Sequence, residues 1–141
     1  MIAFALLLAW SLAATPPLLT HPFLTLDTAP TFVIAGGKAS VTMLSETPNY
    51  LGRLVAKPGA TVPEHVHATS DELIYVLSGT GQMRLEGVAG PISVTPGMGI
   101  QIRRGLKHSL TVPESAAEPL VVVQVYTPAG PEQRFKVPPI K

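Results

Sequence analysis

Gly59-Ala-Thr-Val-Pro-Glu-His65-Val-His67-Ala-Thr-Ser-Asp-Glu72-Leu-Ile-Tyr-Val-Leu-Ser-Gly79 is the stretch from which the rest of the chain reads outward. Histidine is scarce, with four copies in 141 residues, yet two stand here two positions apart. On an extended strand that spacing puts both imidazoles on one face. A polar turn at Ala68–Asp71 separates the run Pro63–His67 from the run Glu72–Leu77. Pairing of those two runs as antiparallel strands would carry Glu72 within metal-ligand reach of His65 and His67. Parity with Glu72 turns Ile74 and Val76 inward and Tyr75 outward. A third imidazole, His108, opens a later run just after the turn at Gly105.

The chain has no cysteine, which excludes disulfides and thiolate sites, so a metal must be held by imidazole and carboxylate. Three neutral imidazoles and one carboxylate suit Mn²⁺, Fe²⁺, Co²⁺, Ni²⁺, Cu²⁺ or Zn²⁺. A six-coordinate ion on four protein ligands keeps about two positions for water or substrate. Only Glu72 is anionic, so the loaded site stays positive and favours an anionic or chelating oxygen ligand.

Gly59-x5-His65-x-His67-x4-Glu72-x6-Gly79 resembles the first motif of the cupin superfamily at every fixed position. Gly97-x5-Arg103-x-Gly105-x2-His108 resembles the second, with Arg103 where the family usually has proline and Val112 where asparagine is common. Neither departure falls on a ligand position. The resemblance covers roughly Thr31 to Val137 and implies an all-β fold, a single cupin β-barrel (a double-stranded β-helix or jelly roll). It also implies one divalent transition metal on His65, His67, Glu72 and His108, with Glu72 able to act as a base, as in some relatives. Dioxygenase, isomerase and lyase activities all occur in such a family. A homodimer is a further implication, and the segment Tyr126–Gly130 with Glu132 and Phe135 resembles the tail of small members and reads as a lid or dimer edge.

Outward from the motifs, the pattern is of short apolar or alternating runs. Fifteen prolines and twelve glycines are spread along the chain, a signature of many short elements joined by tight turns. Thr31–Ala35 and Ser40–Ser45 flank a hairpin signal at Gly36-Gly37, and Tyr50–Ala56 follows. Gln82–Glu86, Pro91–Thr95, Gly99–Arg103, His108–Val112 and Pro119–Tyr126 complete the set, pointing to a sandwich or jelly roll able to hold a ligand. Pro119–Tyr126, with its valines, reads as a strand buried on both faces, and as dimer surface if it lies at an edge. The proline-rich tail from Thr127 to Lys141 reads as an extended wrap. Gln82, Arg84, Gln101 and Arg103 lie on strands that should border the cavity, where an arginine would suit a carboxylate substrate.

Hydrophobic residues make up 46% and charged residues 13%, which excludes a disordered chain. The formal net charge is +1 and no basic run exceeds Arg103-Arg104, so nucleic-acid binding has no electrostatic footprint. Met1–Ala14 is uncharged and apolar, too short for the about 20 residues that span a bilayer. Small residues at Ser11, Ala13 and Ala14 fit signal-peptidase cleavage. The expected organisation is a signal peptide over 1–14, an extension over 15–30, a barrel over 31–137 and a short tail over 138–141. The mature protein is then secreted or periplasmic, with no stable membrane span. His21 has no partner nearby in sequence and is expected on the surface. The functional expectation is an exported metal-dependent enzyme on a small oxygenated substrate, the alternative being a non-catalytic module that binds a small molecule or metal.

Overall fold

The computed structural model of the chain describes residues 23–136; the apolar segment 1–14, His21 and the final residues 137–141 lie outside them. Ten strands follow in order: β1 Thr31–Ile34, β2 Ala39–Ser45, β3 Tyr50–Ala56, β4 Thr61–His65, β5 Asp71–Ser78, β6 Gly81–Leu85, β7 Ile92–Val94, β8 Gly99–Ile102, β9 His108–Thr111 and β10 Leu120–Thr127. Each corresponds to one of the runs read from the sequence, with ends shifted by one or two residues. They form a six-stranded sheet, β1-β2-β3-β10-β5-β8, and a four-stranded sheet, β4-β9-β6-β7, all pairs antiparallel. Among the described residues no helix is long and apolar enough to cross a membrane.

Period-two alternation builds the core. On β5, Glu72, Ile74 and Val76 are buried while Leu73, Tyr75 and Leu77 face out, as parity requires. On β10 the buried set is Leu120, Val122, Gln124 and Tyr126. Leu120, Val122 and Tyr126 meet Met83, Val94 and Leu110 of the smaller sheet in one apolar cluster. The hairpin at Gly36-Gly37 joins β1 to β2 as the sequence suggested, with both glycines at positive φ.

Three expectations are corrected. The runs containing His65 and Glu72 do not pair: β4 lies beside β9, and β5 lies between β10 and β8 in the other sheet. Pro63 has no N–H to give a ladder, which confines β4 to a sheet edge. The run Pro119–Tyr126 is neither buried on both faces nor at an edge. β10 is flanked by β3 and β5, and its outer valines Val121, Val123 and Val125 are only half-buried, since an antiparallel sheet needs one face in the core. Finally, the tail does not simply run extended: Pro131–Lys136 coils into a 3₁₀ turn. The buried Glu132 carboxylate anchors it, accepting hydrogen bonds from the Gly130 N–H at 2.6 Å and the Gln133 amide at 2.9 Å.

Gly79, the last fixed residue of the first motif, has φ +73°, and a Cβ there would meet the Pro119 carbonyl oxygen at 2.2 Å and the Leu120 Cα at 2.7 Å. Gly87 has a similar φ, +82°, but open space around it. Gly79→Ala is therefore expected to cost about 2–4 kcal/mol, and Gly87→Ala only about 1 kcal/mol. Urea unfolding midpoints of the two variants check this; equal shifts would remove the steric role given to Gly79.

Candidate metal centre

His65 and His108 are directly opposed across β4 and β9. The register shifts between Val62 and His65, so β4 spends one extra residue at Pro63-Glu64. Such a bulge re-aims the side chains that follow it, and it lets Val62 and His65 both line the interior while Glu64 stays exposed. His67 lies just beyond the strand, so it joins the cluster by way of the connecting loop rather than strand parity. One nitrogen from each of His65, His67 and His108 lies within 4.8 Å of the others. Glu72 faces them from the six-stranded sheet.

The loops carrying the two motifs are fastened together. The Gly105 N–H donates to the His67 carbonyl at 2.9 Å. The Asp71 carboxylate accepts from the Arg104 backbone N–H at 2.9 Å and from its Nε at 3.1 Å. Behind His67, the Tyr126 ring packs at 4.9 Å and itself stacks on Tyr50 at 5.0 Å. Burial raises both phenols above their usual range, so they stay protonated.

Hydrogen bonding sets the imidazole tautomers. His65 Nδ1 is 2.8 Å from the Pro63 carbonyl and His108 Nδ1 is 3.0 Å from the Leu106 carbonyl. A carbonyl only accepts, so each Nδ1 carries its proton and each neutral ring presents a bare Nε2 to the interior. Glu72, 2% exposed, places Oε2 3.1 Å from the Nε2 atoms of both His67 and His108. Its Oε1 accepts from the Gln124 amide at 2.6 Å. His108 Nε2 is buried without a hydrogen-bond partner. In the neutral ring its lone pair faces a carboxylate oxygen, an arrangement that calls for a proton or a cation between them. The donor set and this orphaned nitrogen together fit one divalent ion.

Burial lowers the His65 imidazole to about 4, against the Pro63 hydrogen bond, so it is neutral at physiological pH. Burial would raise the Glu72 carboxyl, but the facing His108 and His67 imidazoles and the Gln124 amide outweigh it and hold Glu72 at about 2. The same contact with Glu72 raises His108 against its own desolvation.

The interior cavity is small, about 40 Å³, room for an ion and a few waters. Aliphatic side chains including Ile34, Leu54, Val62 and Met83 line it beside His65, Glu72 and His108, and Arg134 and Phe135 stand at its mouth. The four pocket residues expected from sequence are not in it. Gln82 and Arg84 alternate with inward Gly81 and Met83 on β6, and Gln82 instead donates to Ser93 at 2.9 Å. Gln101 alternates with buried Ile102, and Arg103 is exposed on the turn beyond. Sequence reasoning missed Gln124, whose signal was a lone polar residue in an apolar run. It also missed Arg134, which reaches the site through the 3₁₀ turn and left no local signal.

The cupin domain pattern matches residues 52–126, more than half of the chain. The chain belongs to the cupin family. Among curated relatives of this cupin is the protein SchB of Streptomyces halstedii, 31% identical over 67 residues, which are 48% of this chain and 47% of that protein. The chain thus spans about half the length of that relative. Among solved structures, the polyketide cyclase RemF of Streptomyces resistomycificus is similar at a TM-score of 0.66 and 21% identity, over 77% of this chain and 80% of that one. A sugar phosphate isomerase of the cupin superfamily from Silicibacter pomeroyi gives a TM-score of 0.62 and 21% identity, over 75% of each chain. At these identities the two structures share the fold with this cupin.

Both depressed groups act on stability in the same direction. His65 is lowered from 6.5 to about 4 and Glu72 from 4.5 to about 2. In each case the unfolded chain binds more protons over its window, so the folded state weakens as pH falls. The metal-free protein is expected to lose stability first between pH 6.5 and 4, through His65, and then from 4.5 toward 2, through Glu72. Urea midpoints against pH test this. His65→Gln should flatten the upper window, and a wild-type profile flat from 6.5 to 4 would contradict it.

Proposed function

We propose that this cupin is an exported metal-dependent enzyme whose divalent ion is held by His65, His67, His108 and Glu72. Its chemistry is non-redox: isomerisation, cyclisation or lyase-type proton transfer on a small oxygenated substrate. The observation that carries the reading is the convergence of the two bare Nε2 atoms of His65 and His108 with the buried Glu72 carboxylate. Similarity in fold to a polyketide cyclase and a sugar phosphate isomerase supports the reaction class.

When bound, the ion supplies Lewis acidity toward a substrate oxygen. The chain's residues do the rest. Gln124 occupies Oε1 of Glu72 and so fixes the direction of Oε2, the oxygen that faces the imidazoles and the cavity. Glu72 is ionised at neutral pH, so Oε2 is the oxygen that would hold the ion beside the imidazoles. The aliphatic lining keeps bulk water from a polarised substrate. Asp71 and Arg104 hold the two motif loops at fixed separation, so the ligand nitrogens need little rearrangement on loading.

Metal analysis of the purified protein is expected to give one equivalent, and His67→Ala is expected to lose it; full occupancy in that variant would sink the site assignment. After reconstitution with Mn²⁺, Fe²⁺, Ni²⁺, Cu²⁺ or Zn²⁺, activity without O₂ uptake is expected, and O₂ consumption with Fe²⁺ or Cu²⁺ would move the protein to the dioxygenases. Export is supported by the apolar segment Met1–Ala14 and its small residues. Protein recovered from its host should begin near Ala14 or Thr15, whereas an intact Met1 on the mature protein would rule cleavage out.

A further inference from the structure

Arg134 is the one cation at the mouth of the cavity among the described residues, and it makes no ion pair with any of their carboxylates. Its Nη2 lies 3.5 Å from His65 Nε2 and 3.4 Å from the Tyr126 hydroxyl. Its guanidinium is backed by the Phe135 ring, with Cζ 4.9 Å from the ring centroid, a stacked arrangement that orients the fork without consuming its donors. Two surface clefts meet at this residue. One runs past Val66, His67 and Gly130, the other past Val62, Pro63 and Phe135. A molecule reaching the histidine cluster by either route passes the guanidinium.

The contact with His65 has a chemical consequence. His65 Nδ1 is committed to the Pro63 carbonyl, so Nε2 is a lone pair that Arg134 donates to. That lone pair cannot serve both the guanidinium and a metal ion. When an ion takes it, Nη2 loses this acceptor and needs another, in a place already rich in positive charge. Tyr126 offers only a neutral hydroxyl, Phe135 and the aliphatic side chains of the wall offer no acceptor, and the one carboxylate lining the cavity, Glu72, is engaged by Gln124 and the imidazoles. An anion that also binds the ion's open side satisfies both cations at once.

From this we propose that Arg134 is the specificity-determining residue of the site, and that the substrate is a small oxygenated carboxylate, its carboxylate shared between the ion and the Arg134 fork. The inference rests on the metal reading above. It adds a charge requirement on the substrate that the metal ligands alone do not impose. It also transfers to Arg134 the role that the sequence gave to Arg84 or Arg103, both of which lie on the outside.

The test uses the full protein loaded with Co²⁺, whose visible spectrum reports ligands joining the ion, titrated with lactate and with its neutral counterpart lactamide. Wild type should bind lactate about 10-fold or more tighter than lactamide. Arg134→Gln should keep one equivalent of cobalt and lose that discrimination, weakening lactate by about 10-fold or more and lactamide by less than about 3-fold. Arg134→Lys, keeping the charge without the fork, should fall between the two. Lactate binding in Arg134→Gln equal to wild type would overturn the role of Arg134 while leaving the metal site standing. Failure of wild type to take up cobalt would overturn the metal reading itself, and this inference with it.

Discussion

An ionised carboxylate buried at 2% exposure inside an apolar barrel is the constraint around which the rest of this structure is arranged. Left alone, such a group would take up a proton. Glu72 stays charged because Gln124 donates to one oxygen while His67 and His108 face the other. Holding those partners in place involves both sheets. β5 and β10 carry Glu72 and Gln124, while β4, its trailing loop and β9 carry the histidines. The Asp71–Arg104 and Gly105–His67 hydrogen bonds close the two motif loops over the same point. The barrel closes around a site that is electrically costly unless every member is present, which is why removal of one ligand should be felt by the others.

Much of this was legible in the sequence because strand parity is a rigid rule. Glu72 being inward forced Ile74 and Val76 inward and Tyr75 outward, and the structure agrees. What parity could not supply was pairing. Nothing local says that β4 will choose β9, or that Pro63-Glu64 will absorb an extra residue and swing His65 to face the interior. The spacing of His65 and His67 suggested one strand face, whereas a bulge and a loop bring them together. Gln82, Arg84 and Gln101 were misplaced for the same reason, since their orientation depends on the register of β6 and β8 with their neighbours. Arg134 was invisible because its position comes from a turn anchored by the buried Glu132.

Membership of the cupin family fixes architecture and leaves the reaction open, since one fold hosts many chemistries. Two imidazoles with tautomers set by nearby backbone carbonyls, a carboxylate with one oxygen tied to Gln124 and the other turned to the imidazoles, a largely aliphatic lining and the Arg134 guanidinium at the mouth form a graded environment. Charge is concentrated at one end and water is excluded at the other. Such a site suits a small anionic substrate polarised through one oxygen.

X-ray absorption spectroscopy on protein loaded with one equivalent of Zn²⁺ tests the central claim most directly. Three imidazole nitrogens with at least one oxygen around a single ion per chain is the expected result. Coordination by oxygen alone, or failure to retain the ion, would contradict the assignment of His65, His67, His108 and Glu72 as one metal centre.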